Sequence, residues 1–341
     1  MRISIIAFTA NGCRTALRIK EALEGDDVSV QCKTAHEVEG VERIKTTSDE
    51  WTRQRFEDSD ALVFVGATGI AVRLIVPYVK SKDVDPAVVC VDEHGKFTIA
   101  LLSGHIGGCN KLANRIAAGI GSTPVVTTAT DINGKFSVDV FATENSLRIT
   151  NLHKAQITSS KVLEDKFVGF SSELPVEGDL PRGLTLAESG DFGIRISRDP
   201  SEHPFDNTFN LVPMDISVGV GCKRGTDPAK MLAFVKKILE EDGIAPERVG
   251  SISSVDLKSD ERAVLELAPE FKCPVMFFSA EELMSLEGKF SSSNFVRSVT
   301  AVDCVCERSA VKARGGTIVR RKTASDGMTV ALCQTDLQLR F

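Results

Sequence analysis

A strand, a glycine turn and a helix follow one another repeatedly along this chain, which restricts it to a fold in which helices cover sheets. Ala61 to Val65 is an unbroken apolar run that leads into Gly66-Ala67-Thr68-Gly69 and then a helical pattern. Such a run is typical of a parallel strand buried on both faces. The same order returns at Ile216 to Val220. This apolar run is followed by glycines and then by a helical pattern at about 227–241. Two α/β units are therefore predicted.

The stretch between these units differs from both of them. Residues 134–211 contain turn clusters and weaker helical periodicity. A chain of 341 residues also has room for two or three domains at about 150 residues each. We predict an α/β protein with two parallel-sheet α/β domains, residues 1–133 and 212–341, joined by a small mixed α+β middle domain at 134–211.

Composition excludes several classes of protein. The 41 basic and 47 acidic residues give a net charge of -6, which is unsuited to non-specific binding of nucleic acid. The longest apolar runs have about five residues, whereas a membrane-spanning helix needs about 20. None of the nine cysteines forms a C-x-x-C pair, which indicates reduced thiols and no structural zinc site. We expect a cytoplasmic protein without nucleic-acid or membrane partners.

The segment Leu101 to Asn110 contains the strongest candidate for catalysis. Three glycines flank His105 and allow a ligand to approach the backbone closely. An imidazole with a pKa near 6.5 serves as acid or base at neutral pH. The alternative is a histidine that is hydrogen-bonded within its loop. Asp92 and Glu93 follow another strand, where they either orient His105 or face solvent.

Other strand ends offer binding groups, because ligands of open parallel sheets bind where strands lead into helices. The Gly66 to Gly69 turn, with Arg73 beyond it, presents backbone N–H groups to a carboxylate or phosphate, or is a tight turn. It lacks the lysine of a P-loop. Lys223 and Arg224 lie in a second turn, which is an anion site or a surface turn. Lys258 and Glu261 are either an ordinary ion pair on a helix or proton carriers.

Taken together, these loops resemble the cobalt-precorrin-5A hydrolase family of anaerobic cobalamin biosynthesis. Many short motifs occur in that family's order and cover about 250 residues by rough count. They are 66–73, Lys82 with 85–88, 92–95, 101–110, 127–131, 219–225, 254–261, 293–296 and 305–307. Cys109 replaces an expected alanine and Ala301 an expected glycine, and neither change removes a candidate chemical group.

The resemblance implies an enzyme that opens the δ-lactone of a ring-contracted cobalt tetrapyrrole and releases acetaldehyde, giving cobalt-precorrin-5B. The cobalt belongs to the substrate, so no protein-bound metal or other cofactor is expected. His105 would be the shared acid and base, Asp131, Lys258 or Glu261 the second proton carrier, and the Gly107 and Gly108 backbone would stabilise the oxyanion. The implied substrate-binding residues are Gly66, Thr68, Gly69, Arg73, Lys82, Ser103, Gly104, Gly107, Gly108, Asn110, Thr127, Thr128, Gly221, Lys223, Arg224 and Ser293.

The implied partner is a cobalt-corrinoid substrate. Contacts with neighbouring pathway enzymes and a homodimer are compatible with this interpretation. The competing hypothesis is a non-catalytic corrinoid-binding or channelling protein. A nucleotide-dependent enzyme is disfavoured, because the P-loop lysine is absent and the Gly219 to Gly225 turn matches a dinucleotide fingerprint imperfectly.

Overall fold

The computed structural model describes residues 1–81, 84–105, 107–292 and 300–341, and it describes Asp131 without its side chain. Lys82 and Ser293, both expected to bind substrate, therefore lie outside the described residues. The chain forms two compact units, Met1–Val140 and Phe141–Phe341. The α/β class with parallel-rich sheets is confirmed. The division into three domains at 1–133, 134–211 and 212–341 stays a prediction.

A seven-stranded sheet organises the N-terminal unit, in the order β3-β2-β1-β4-β5-β6-β7. Its strands are β1 Arg2–Ala7, β2 Asp27–Cys32, β3 Glu42–Arg43, β4 Ala61–Val65, β5 Ala87–Val91, β6 Phe97–Leu102 and β7 Thr123–Val125. Its helices are α1 Ala10–Ala22, α2 Ser48–Asp58, α3 Thr68–Ile75, α4 Cys109–Ile120 and α5 Ala129–Ile132, and α6 Val138–Glu144 continues into the next unit.

The central strands of this sheet are buried on both faces because alternate side chains enter two different cores. Val63 and Val89 belong to the core that includes residues of α1 and α4. Leu62 and Phe64 point the other way, into a core that contains Trp51 of α2 and residues of α3. This two-sided burial explains why the strand sequences carry no polar alternation.

One strand reverses the direction of the sheet. Strands β1, β4 and β5 are mutually parallel, whereas β6 is antiparallel to β5 and β7 is parallel to β6. We call the edge where β1, β4 and β5 end the carboxyl edge, and the edge where they begin the amino edge. Leu102, the last residue of β6, lies opposite Val88 near the start of β5. The loops that follow β6 and β7 therefore lie at the amino edge.

The C-terminal unit contains two five-stranded sheets and a two-stranded one. The first has the order β11-β9-β12-β13-β8 and the second β16-β15-β14-β18-β17, while β10 pairs with β19. The strands are β8 Leu147–Ile149, β9 Val168–Ser172, β10 Val176–Glu177, β11 Leu184–Leu186, β12 Gly190–Ile196, β13 Phe205–Pro213, β14 Ile216–Cys222, β15 Val249–Val255, β16 Val275–Phe278, β17 Thr317–Ser325, β18 Met328–Gln334 and β19 Leu339–Arg340. The helices are α7 Leu152–Leu163, α8 Pro228–Glu241, α9 Arg262–Leu265, α10 Leu267–Phe271, α11 Ala280–Met284 and α12 Val305–Arg314.

A buried ion network connects the two larger sheets of this unit. Asp215, which is fully buried between β13 and β14, accepts two hydrogen bonds from Arg248 at 2.9 and 3.0 Å. Arg198, just after β12, donates to the same carboxylate at 2.7 Å. The Asp215 contacts explain why both sheets belong to one compact unit. The end of the chain adds a contact of its own, because Asn145, just before β8, and Arg340 of β19 exchange two hydrogen bonds.

Candidate functional site

His105 lies at the amino edge of the N-terminal sheet, with a hydroxyl group near each ring nitrogen. Its Nδ1 lies 3.1 Å from Ser137 Oγ, and its Nε2 lies 3.4 Å from Thr130 Oγ1. Thr130 belongs to α5, and Ser137 immediately precedes α6. A hydroxyl both donates and accepts hydrogen bonds, so this arrangement is compatible with either tautomer of the imidazole. These two hydroxyl groups orient the half-buried imidazole ring.

The loop before α4 is held by its own hydrogen bonds. The N–H groups of Cys109 and Asn110 donate to the carbonyls of Ser103 and Gly104 at 3.1 and 3.0 Å. The Asn110 side chain in turn donates to Thr128 Oγ1 at 2.9 Å. A Cβ on Gly107 would lie only 2.4 Å from the Ser103 Cβ, so glycine is required there for packing. Ser103, Gly104, Gly107, Asn110 and Thr128 all serve the shape of this loop, and their roles in substrate binding stay predictions.

Gly108, expected to help stabilise the oxyanion, has a backbone N–H that already has an acceptor, and its role stays a prediction. Its N–H donates to the carbonyl oxygen of His105 at 3.0 Å. A backbone donor that already has an acceptor must exchange it before it can stabilise a developing negative charge. In this conformation Gly108 therefore supports the turn that positions His105, with φ at +77°.

The glycine turn at Gly66 lies at the opposite edge of the sheet from His105. Gly66, Thr68 and Gly69 follow β4 at the carboxyl edge, and the five residues of β4 span about 16 Å. The Gly66 turn and the His105 loop therefore lie at opposite edges of this sheet, because β6 runs antiparallel to β5.

The turn nevertheless keeps groups suited to an anion. Among the described residues, the N–H groups of Thr68 and Gly69 have no hydrogen-bond partner, and the Arg73 guanidinium donates weakly to the Gly69 carbonyl at 3.4 Å. A cleft of about 530 Å³ lies at the same edge, lined by residues 8–11 and 33–36. Binding by Gly66, Thr68, Gly69 and Arg73 stays a prediction.

Asp92 and Glu93 also lie at the carboxyl edge, so they do not orient His105. Asp92 accepts hydrogen bonds from the N–H groups of His94, Lys96 and Phe97, which lower the pKa of its carboxyl although burial acts in the opposite direction. Glu93 accepts a hydrogen bond from Thr9 Oγ1 at 2.7 Å. Both carboxylates hold turns, which is a third role that the sequence did not suggest.

Two of the predicted proton carriers form a pair in the C-terminal unit. Lys258 Nζ lies 3.6 Å from Glu261 Oε2, and their side chains are 13% and 5% exposed. The Glu261 carboxylate also accepts the N–H of Gly225 at 3.2 Å. This pair is much more buried than the sequence suggested, and it secures the turn after β14.

The charged side chain of Arg224 in that turn already has partners. Arg224 donates a hydrogen bond to the carboxylate of Asp260, and this contact lowers the pKa of Asp260. Arg224 also donates to the Leu257 carbonyl. The N–H of Lys223 donates to the Gly327 carbonyl at 3.2 Å. Gly221 is a packing glycine, because a Cβ there would lie 2.7 Å from Thr329 Oγ1. Substrate binding by Gly221, Lys223 and Arg224 stays a prediction.

The remaining predicted residues lie near His105 in the chain. Thr127 is exposed and precedes Thr128, the acceptor for Asn110. Asp131 follows Thr130 in α5, and its side chain lies outside the described part of the chain. The residues that sequence reasoning missed are Ser137 and Thr130. They are 32 and 25 residues from His105, so no local spacing pointed to them.

Glu307 is a buried carboxylate whose contacts the sequence did not reveal. It accepts the N–H and hydroxyl of Ser291 at 2.8 and 2.7 Å and the N–H of Lys322 at 2.8 Å. Burial by itself raises the pKa of Glu307, but these hydrogen bonds, together with Arg321, hold it below its usual value. An acid that directly follows the apolar sequence 304–306 was the available signal, and it does not specify the partners.

Within the part of the chain that the structure describes, no three His, Cys, Asp or Glu residues cluster so as to hold a metal ion. The expectation that no metal or other cofactor is bound stays a prediction. None of the described helices combines the length and apolar character needed to cross a membrane.

Comparison with known proteins identifies related sequences across both units. Residues 50–131 match the family model described as Cobalamin synthesis G N-terminal, and residues 216–333 match Cobalamin synthesis G C-terminus. The chain is 35% identical over 293 residues to the cobalt-precorrin-5A hydrolase of Salmonella typhimurium, covering 82% of this chain and 83% of that protein. It is 26% identical over 357 aligned residues to the Priestia megaterium protein of the same name, covering 98% and 95%. A solved structure of a putative cobalamin biosynthesis protein G homologue from Sulfolobus solfataricus is 25% identical, covers 97% and 96%, and has a TM-score of 0.43.

Proposed function

The chain belongs to the cobalt-precorrin-5A hydrolase family and is a hydrolase of cobalamin biosynthesis, and we propose that it opens the δ-lactone of cobalt-precorrin-5A and releases acetaldehyde. The observation that carries the proposal is 35% identity over more than four fifths of a relative with that name. The His105 site supplies an acid-base group of the kind that this chemistry needs. Its position beside two hydroxyl groups supports the proposal at the level of side chains.

The reaction divides into two steps that balance. Water first adds to the lactone carbonyl: a new acyl carbon–oxygen bond forms, the acyl carbon–alkyl oxygen bond breaks, and a carboxylate and an alcohol result. The alcohol then loses its proton and becomes the carbonyl of acetaldehyde. The carbon–carbon bond to the macrocycle breaks in this step, and the conjugated ring accepts its electron pair. The cobalt ion is part of the substrate throughout.

His105 would remove a proton from water in the first step and from the alcohol in the second. An imidazole changes its protonation near neutral pH, and it must lie within hydrogen-bond reach of the proton that it takes. Ser137 and Thr130 would keep the ring in one orientation between the two steps. Asp131, Lys258 and Glu261 remain candidates for the second proton carrier, and Asp131 lies nearest to the His105 site along the chain.

Replacement of His105 by alanine is the direct test. We expect acetaldehyde release from cobalt-precorrin-5A to fall by about 10²-fold or more, because general acid-base catalysis contributes about 10²–10⁴-fold. Acetaldehyde and the tetrapyrrole mass would be measured without oxygen against a no-enzyme control. His94→Ala is the matched control, because its side chain is 62% exposed and lies at the other edge of the sheet.

Turnover number separates the enzyme from a carrier. Many equivalents of acetaldehyde per protein support the hydrolase. Product formation that saturates at one equivalent, with the tetrapyrrole still bound, would instead indicate a non-catalytic corrinoid-binding protein. Normal turnover by the His105→Ala variant would remove this residue from the mechanism while leaving the activity itself established. Cytoplasmic location, contacts with neighbouring enzymes and a homodimer stay predictions.

A further inference from the structure

A cavity at the amino edge of the N-terminal sheet has no role in the chemistry described above. It has a volume of about 320 Å³. Three elements form it: the second half of α2, the segment that follows α3, and the residues just before β5. Its lining is Arg53, Phe56, Glu57, Pro77, Tyr78, Lys80, Val84 and Asp85. We call it the Arg53–Lys80 cavity.

The cavity shares a wall with the His105 loop. Asp85 lines the cavity, and its carbonyl oxygen accepts the hydroxyl of Ser103 at 3.0 Å. The same carbonyl lies 3.4 Å from where a Cβ on Gly107 would be. One residue therefore separates the cavity from the loop that carries His105. The cavity and the His105 loop therefore lie at the same edge of the sheet and share Asp85 as a common neighbour.

Its charges and apolar surface fit a ring that carries carboxylates. Among the described residues, the side chains of Arg53 and Lys80 have no hydrogen-bond or ion-pair partner, and both residues are exposed. Phe56 and Tyr78 form a tilted aromatic pair with ring centroids 6.2 Å apart. Val84, on the rim, is 64% exposed. Cations beside apolar surface favour a ligand that is itself part ionic and part apolar.

Two acidic residues also line the cavity, and they act differently. Both carboxylate oxygens of Asp85 accept the N–H of Lys80 at 3.0 Å, so this charge is already used by the loop. Glu57 is exposed and lies one turn after Arg53 on α2. Glu57 therefore opposes an anionic ligand, whereas Arg53 and Lys80 favour one.

We propose that the Arg53–Lys80 cavity is a subsite for a carboxylate side arm of the same tetrapyrrole whose lactone is opened at His105. This inference rests on the proposed function for the identity of the ligand. The subsite anchors the macrocycle at a distance from the reacting bond. It contributes to binding of the substrate and does not take part in the proton transfers.

The test uses binding of uroporphyrin, a stable octacarboxylate tetrapyrrole, to the full chain. The single tryptophan, Trp51, lies in α2 two residues before Arg53, and quenching of its fluorescence reports binding. We expect Arg53→Gln and Lys80→Gln each to weaken binding by about 2–5-fold, the range for partly exposed ion pairs. Glu57→Gln should strengthen it by a similar factor. The wild-type affinity should also fall as salt is raised from 0.05 to 0.5 M.

Arg55→Gln is the matched control, because Arg55 lies on the same helix and pairs with Asp58. It should leave uroporphyrin binding unchanged. Unchanged binding in Arg53→Gln, Lys80→Gln and Glu57→Gln would overturn the subsite. An equal loss of uroporphyrin affinity in the Arg55 variant would also overturn the subsite, because the loss would then reflect only the change in the net charge of the protein.

Hydrolysis distinguishes this inference from the proposed function. In acetaldehyde assays we expect the KM of the Arg53→Gln, Lys80→Gln double variant to be about 5–20-fold higher, with kcat nearly unchanged. This is the result expected when the lost contact binds the substrate and the transition state equally well. Wild-type kinetics in this variant would contradict the subsite and leave the hydrolase intact. If the wild-type protein releases no acetaldehyde but the uroporphyrin affinities shift as expected, the proposed function fails and the carboxylate subsite stands.

Discussion

Glu307 shows how several hydrogen bonds, together with one guanidinium, favour the ionised form of a buried carboxyl. Its carboxylate has no exposure, yet donors from Ser291 and Lys322 surround it, and the Arg321 guanidinium lies 3.3 Å away. A carboxylate that accepts several N–H and O–H groups is favoured over its neutral form. The carboxylate thereby joins α12 to β17 and to the segment that contains Ser291.

The lowered pKa of Glu307 gives a definite pH dependence of stability. The unfolded carboxyl has a pKa near 4.3, and the folded one lies below it. The ionised carboxylate therefore contributes its full stabilisation at pH values above the pKa of the unfolded state. This stabilisation is lost as the pH falls through the pKa of the folded state. We expect the difference in free energy of unfolding between the wild type and Glu307→Gln, about 1–3 kcal/mol at pH 7, to shrink on acidification. Urea unfolding at several pH values measures it, and a difference independent of pH would contradict this account.

The sequence was sufficient to predict some residues of the candidate site but not others. His105 was identifiable because glycines surround it in one short segment. Its neighbours Thr130 and Ser137 come from later parts of the chain, and only the folding of α5 and α6 brings them to the imidazole. Lys258 and Glu261 were correctly recognised as a pair, but their burial depends on the turn after β14, which the pair itself secures.

At the level of elements, the direction of β6 decides where the candidate site lies. Only five residues separate β5 from β6. A parallel crossover needs a dozen or more residues, so a connection this short permits only a hairpin. This length was readable from the sequence, and it would have placed His105 at the amino edge. Strands β4 and β14 and helix α8, by contrast, were predictable from their apolar patterns.

Thr9 caps the start of α1: its Oγ1 accepts the Gly12 N–H and donates to Glu93. Asn11 is of a residue type that also caps helices, but it lies within α1. Asn11 instead accepts a hydrogen bond from Arg14 on the surface. We expect Thr9→Ala to lower the free energy of unfolding by about 1–2 kcal/mol and Asn11→Ala by less than about 0.5 kcal/mol. Chemical denaturation measures both, and equal effects would argue against Thr9 as the cap.

For the molecule as a whole, the Asp215 network is a buried ionic contact that joins separate parts of the C-terminal unit. Its carboxylate binds Arg248 and Arg198, which come from different parts of the unit. Removal of one charged member of a buried ionic network leaves the remaining buried charges without a counter-charge. Asp215→Asn should therefore cost about 3–5 kcal/mol.

A surface pair provides the comparison. Asp242→Asn removes the partially exposed contact with Arg320 and should cost less than about 1 kcal/mol. Unfolding of both variants in urea gives the two values. A cost for Asp215→Asn no larger than that for Asp242→Asn would show that the network contributes little to the stability of this unit.

The pairing of β10 with β19 has a consequence for how the protein is made. Strand β19 contains Leu339 and Arg340, and it contacts residues translated about 160 positions earlier. At roughly 5–20 residues per second, β10 waits on the order of 10–30 s on the ribosome before its partner is synthesised. Residues 1–140 have all the strands of their own sheet by then. Nascent chains should therefore protect the first unit from protease well before the second.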